Sequence, residues 1–119
     1  MKKILVIDDE EIIRSLALDI LILFGYECLI AEDGKTGIKL AGEYQPDLIL
    51  CDLFMPGMSG ETVLEAIKSE FPLMRIIMTT GKELDDDEAE RISAKGALGV
   101  MHKPFTLNEL RDTVKQALS

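Results

Sequence analysis

Two cysteines and one histidine in 119 residues leave little for transition-metal or redox chemistry. Cys28 and Cys51 match neither a zinc-site spacing nor a disulfide framework. Both read as reduced packing residues, since a buried thiol behaves as a small apolar group. His102 adjoins Lys103 with no carboxylate evident to orient it, so it reads as a strand end rather than a phosphate carrier. Basic side chains are also scarce, 13 Lys and Arg against 22 Asp and Glu. The resulting net charge of −9 argues against nucleic acid or an anionic membrane as a direct partner. DNA binding would need another chain or another domain. The longest apolar candidate, Ile12 to Phe24, is broken by Arg14 and Asp19, which excludes a bilayer span. Met1-Lys2-Lys3 followed by only four apolar residues before Asp8 is too short for a signal peptide, so a soluble, cytoplasmic protein is expected. There is no internal repeat, low-complexity segment or linker, and residues 1–119 are expected to form one domain with a real core.

What is present is a regular alternation of strand and helix signals. Lys3 to Ile7 and Asp47 to Asp52 are unbroken apolar runs that stop at carboxylates, the pattern of strands covered on both faces. Between them, Ile13, Ala17, Ile20, Leu21 and Phe24 recur at helical spacing, with Gly25 as a C-terminal cap. Glu27 to Ala31 is a short strand, and Asp33-Gly34 turns into a helix that runs to about Tyr44. Gly60 to Glu70 is a third helix with Val63, Leu64 and Ile67 inward, terminated at Phe71-Pro72. Arg75 to Thr80 is a fourth strand, and Asp85 to Glu88 suits the first turn of a fourth helix, where the macrodipole favours negative charge. Ala97 to His102 is a fifth strand, and Thr106 with Glu109 is a capping box opening a helix from Leu107 to Leu118. The expected fold is α/β: five parallel strands and five helices, doubly wound by right-handed crossovers.

Function in such sheets collects at the carboxyl ends of the strands. Asp8 and Asp9 follow the first strand, and Asp52 ends the third just before Met55-Pro56-Gly57. If the two strands are neighbours, three carboxylates converge, and like charges so placed call for a cation. Oxygen ligands without His or Cys favour a hard ion, Mg²⁺ or Mn²⁺.

Asp8-Asp9, Asp52 with Met55-Pro56-Gly57-Met58-Ser59-Gly60, Thr80-Gly81 and Lys103-Pro104-Phe105, in that order and each at a strand end, resemble the receiver domain of two-component response regulators. The likeness covers essentially the whole chain. It implies a flavodoxin-like strand order 2-1-3-4-5, which would put the first strand between the two cysteines and rule out a bridge. It implies that Asp52 accepts a phosphoryl group from a sensor histidine kinase or phosphotransfer domain, with no enzymatic turnover of a general substrate. Mg²⁺ would be held by Asp8, Asp9, Asp52 and the backbone carbonyl of Phe54, while Lys103 supplies a second positive charge. Thr80 would donate its hydroxyl to the phosphoryl group. Thr79 is the competing hydroxyl; the family's strand pattern favours Thr80, with one extra residue placed among Glu83 to Asp87.

Two departures from the family's pattern matter. Val100 stands three residues before the lysine, where an aromatic switch residue is frequent. Phe54 and Lys82 stand where fast self-hydrolysis calls for amide or acidic side chains, which implies a long-lived phosphate. Leu18 and Ile22 form an apolar pair on the outer face of the first helix, expected to be exposed and suited to a helical partner. The competing classes are weaker. A haloacid-dehalogenase-type phosphatase wants a second Asp where Phe54 stands. A nucleotide-binding domain lacks its glycine fingerprint after the first strand, where Asp8 to Glu11 would repel a pyrophosphate.

Overall fold

The computed structural model describes residues 1–119. Its elements alternate as β1 (Lys3–Ile7), α1 (Glu11–Leu23), β2 (Glu27–Ala31), α2 (Gly34–Tyr44), β3 (Leu48–Asp52), α3 (Gly60–Glu70), β4 (Ile76–Thr80), α4 (Asp86–Ala94), β5 (Gly99–His102) and α5 (Leu107–Leu118). Every strand pairing is parallel and the order is β2-β1-β3-β4-β5, the doubly wound, flavodoxin-like sheet expected. Strands β3, β4 and β5 begin one or two residues later than the apolar runs suggest. Asp47, for instance, donates its N–H to Lys3 O at 2.8 Å but accepts the Lys3 N–H on its side-chain carboxylate, also at 2.8 Å, so the ladder proper starts one residue later.

The unbroken apolar runs split residue by residue between two cores. Leu5, Ile7, Ile49, Cys51 and Met78 face α2 and α3, where Ala41, Val63, Leu64 and Ile67 are buried. Ile4, Val6, Leu48, Leu50 and Ile77 face α1 and α5, where Ala17, Leu21, Leu110 and Val114 meet them. Both faces being dry is why the strands show no polar alternation. Each fully buried aliphatic side chain contributes about 2 kcal/mol.

The helix starts follow the sequence signals. Asp33 accepts from Thr36 N–H at 2.8 Å, Ser59 from Thr62 N–H at 3.3 Å, and the Asp85–Glu88 and Thr106–Glu109 capping boxes are both closed. Each such cap stabilises its helix by about 1 kcal/mol. Cys28 and Cys51 lie on strands separated by β1 and belong to opposite cores, so no bridge forms. Burial lifts the Cys28 thiol to about 11 and raises that of Cys51 as well, so both stay protonated at neutral pH.

The outer face of α1 differs from expectation at one position. Ile22 is exposed, but Leu18 is half-buried, and the other exposed apolar residues of the helix are Ile12 at 80%, Leu16 and Leu23. The reason is geometric: Leu18 stands one turn after half-buried Arg14 and one turn before buried Leu21, at the border of the buried stripe. No helix is long and apolar enough to cross a membrane.

Candidate functional site

The sheet's main-chain ladder continues one residue beyond the strands, and these extra rungs carry the site. Asp8 N–H donates to Ala31 O at 3.0 Å, Leu53 N–H to Thr79 O at 2.9 Å, and Lys103 N–H to Thr80 O at 2.8 Å. Asp8, Asp52 and Lys103 are thereby held on a common edge. Lys103 Nζ lies 3.1 Å from Asp8 Oδ2, 3.2 Å from Asp52 Oδ2 and 2.8 Å from Glu10 Oε1. Oxygens of Asp8, Asp9, Glu10 and Asp52 all fall within 4.8 Å of one another. Asp8 and Asp52 are buried, whereas Asp9 and Glu10 are exposed at the rim. A cleft of about 290 Å³ opens beside them, lined by Glu10, Asp52, Phe54, Gly81, Lys82 and Lys103.

Further contacts orient the carboxylates. Glu10 N–H donates to Asp8 Oδ1 at 2.9 Å, and the Phe54 N–H reaches Asp52 Oδ1 at 3.3 Å. Arg14 donates to the Asp8 carbonyl at 2.8 Å, tying the first turn of α1 to the end of β1. The Lys103–Pro104 peptide is cis, and Phe105 beyond it is buried in the α1/α5 core.

The electrostatics are those of an anionic pocket with too little positive charge. Burial, then the neighbouring Asp8 charge, lifts the Asp52 carboxyl to about 6, despite the opposing pull of Lys103. Burial raises Asp8 as well, opposed by its hydrogen bond from Glu10 N–H and by Lys103. Burial alone would lower Lys103, but its bond to Glu10 and the charges of Asp8 and Asp52 outweigh that and keep it firmly protonated. Oxygen donors only, net negative even with one ammonium among them, suit a hard divalent cation.

The family of the response regulator receiver domain matches residues 4–115. The chain belongs to that family. Relatives of this receiver include the sporulation initiation phosphotransferase F of Bacillus subtilis, 36% identical over 98% of this chain and 94% of the relative. They also include the alkaline phosphatase synthesis transcriptional regulatory protein PhoP of the same organism, again 36% identical, of which the chain spans 48%. Among solved structures, the chemotaxis protein CheY4 of Vibrio cholerae superimposes with a TM-score of 0.93 at 32% identity, covering 99% of both chains. A receiver domain from Clostridium thermocellum gives 0.91 at 33% identity, over 99% of this chain and 94% of that one. Receiver domains are phosphoacceptors, and the haloacid dehalogenase reading is not favoured.

Of the residues singled out in the receiver's sequence, Asp8, Asp9, Asp52 and Lys103 are brought together. Phe54 borders the cleft with its ring, on which Lys82 stacks its ammonium 4.2 Å from the centroid. Thr80 is fully buried and does not line the cleft. Its hydroxyl donates to Lys82 O at 3.0 Å and accepts from Lys82 N–H at 3.1 Å. Thr79 projects to the opposite side of β4 and is likewise buried. Glu10 is the contributor that sequence reasoning passed over. Its only signal was its place after Asp8-Asp9, where the chain turns into α1.

Proposed function

We propose that Asp52 is the phosphoacceptor of this receiver and that a sensor histidine kinase or a phosphotransfer protein is its donor. The observation carrying the proposal is the Lys103 ammonium 3.2 Å from a buried Asp52 carboxylate that borders an open cleft. One Asp52 oxygen forms a bond to phosphorus as the bond from phosphorus to the donor nitrogen breaks. The electron pair stays with the donor, and an acyl phosphate results. The carboxylate's lifted pKa of about 6 leaves it ionised at neutral pH and more basic than an ordinary aspartate.

Lys103 offsets the charge of the incoming phosphoryl oxygens as a compact ammonium on a flexible stem. Asp8, Asp9, Asp52 and the Phe54 carbonyl would hold Mg²⁺, a role supported by the all-oxygen donor set and its excess negative charge. Bound there, the ion supplies charge neutralisation for phosphoryl transfer. Thr80 reaches a phosphoryl oxygen by giving up both hydrogen bonds to Lys82, which frees the loop that follows β4. With Val100 in place of an aromatic, that loop is the two-state element the phosphate biases. Residues 1–119 act as one domain, in the cytoplasm, without direct contact to nucleic acid.

The test is incubation with acetyl phosphate and Mg²⁺, followed by intact-mass and peptide mapping. One phosphoryl group is expected on Asp52 and none on Asp52→Asn. Labelling of that variant at the parent level would remove Asp52 from the role.

A further inference from the structure

Helix α4 has little apolar attachment to the rest of the molecule, since Ile92 is its single buried residue. Charge does the remaining work. Arg91 donates Nε and Nη2 to the two carboxylate oxygens of Glu61 at 3.0 and 3.1 Å, the forked geometry that gives such pairs their directionality. Lys95 reaches both Glu61 and Glu65. Arg91 first and Lys95 second hold the Glu61 carboxyl down at about 2. The Glu61 side chain is 22% exposed and that of Arg91 49%, so the clamp lies at the surface, its forked geometry rather than burial setting its direction.

Glu61 is also one residue from a contact with the Asp52 main chain. Gly60 opens α3 so close to β3 that a Cβ built on it would overlap the Asp52 carbonyl oxygen and sit 2.7 Å from Leu53 Cα. The Gly60 N–H donates to Leu53 O at 2.9 Å. Backbone meets backbone there, with no flexible side chain to absorb a shift.

We propose that Gly60 and Glu61 are positioning residues that couple the state of Asp52 to α4. The proposal rests on Asp52 being the phosphoacceptor. A phosphoryl group adds bulk and charge at the end of β3, the first turn of α3 yields, and Glu61 loosens its hold on Arg91 and Lys95. Coupling of this kind is reciprocal, so the clamp also bears on the setting of Asp52.

Hydrogen exchange of the α4 amides, residues 86–94, before and after labelling with acetyl phosphate and Mg²⁺ tests the idea, with intact mass reporting the phosphoryl load. Labelling is expected to speed exchange in the parent roughly tenfold, within the usual range for site-to-site coupling. In Glu61→Gln, exchange should already be fast and labelling should add little. No acceleration in the labelled parent, or the same acceleration in Glu61→Gln, would overturn the coupling. A missing phosphoryl load would instead overturn the reading of Asp52. The coupling is then read from Asp52→Asn, whose α4 exchange must depart from the parent's with Glu61 present and not with Gln in its place; no such difference also overturns it.

Discussion

Lys103 sets its ammonium 3.2 Å from Oδ2 of Asp52, with the lysine side chain 7% and the aspartate side chain 3% exposed. The same ammonium serves Asp8, so one cation offsets two buried anions. Removing one partner of a buried pair costs about 3–5 kcal/mol, because the remaining charge is left in a dry site. Lys103→Met in metal-free buffer at neutral pH is expected to lose about 3 kcal/mol of unfolding free energy. Because the ammonium competes with a divalent cation for the same oxygens, the variant should also bind Mg²⁺ more tightly than the parent. Denaturant unfolding with and without Mg²⁺ reads both effects. Equal Mg²⁺ affinity in parent and variant would show that the two cations do not share these carboxylates.

The pH dependence follows from Asp52 and Asp8, both raised by burial first. A carboxyl whose folded pKa lies above its unfolded one stabilises the fold in its protonated form. That stabilisation is complete below the ordinary aspartate pKa of 3.8 and is lost as pH rises through about 6. Metal-free protein should therefore lose on the order of 2 kcal/mol between about pH 4 and pH 6.5. Glu61, held low by Arg91, works in the opposite sense at more acid pH, its contribution fading as pH falls from 4.5 toward about 2. Thermal unfolding in EDTA should show maximal stability on the acid side of neutrality. Asp52→Asn should flatten the decline above it. A parent protein more stable at pH 7.5 than at pH 5 would contradict the assignment.

Phosphate lifetime is expected to turn on Phe54 and Lys82, whose ammonium lies 4.2 Å from the Phe54 ring centroid beside the cleft. Neither side chain can accept a proton from attacking water or orient it as an acceptor. Help of that kind is typically worth about 10² in rate. A long-lived aspartyl phosphate is expected, and Phe54→Asn with Lys82→Glu should shorten it after the donor is removed. A parent that loses phosphate as fast as the double variant would sink this idea.

Donor docking is expected on α1, whose first residues adjoin the carboxylate cluster. Ile12 and Leu16 are exposed four residues apart on one helical face, a better-placed pair than Leu18 and Ile22. Ile12→Glu with Leu16→Glu should slow transfer from a histidine-phosphorylated partner and spare labelling by acetyl phosphate. Equal loss with both donors would point to a damaged fold instead.

Much of this is legible in the sequence. Strand ends at Asp8, Asp52 and Thr80 could be read because apolar runs stop abruptly at polar residues, and the Thr106–Glu109 capping box because its signal is local. What escaped depends on side-chain direction. Glu10 looks like an ordinary helix start until its carboxylate is seen on Lys103, 93 residues away. The hydroxyl of Thr80 is equally silent in sequence about pointing at Lys82 rather than into the cleft. The grip of Arg91 on Glu61 joins helices 30 residues apart and leaves no periodic trace. Leu18 shows the converse, where helical spacing alone overstates exposure at the border of a buried stripe.

The main-chain rungs that extend the ladder to Asp8, Leu53 and Lys103 have a consequence for how such a chain can diversify. The spacing of Asp8, Asp52 and Lys103 is written in peptide geometry, which almost any side chain on the helices leaves untouched. Helical surfaces, and with them the choice of partner, are therefore free to drift while the chemistry stays fixed. Substitutions that alter recognition and substitutions that alter phosphoryl transfer should fall into largely separate sets of positions, with Gly60 among the few places where the two overlap.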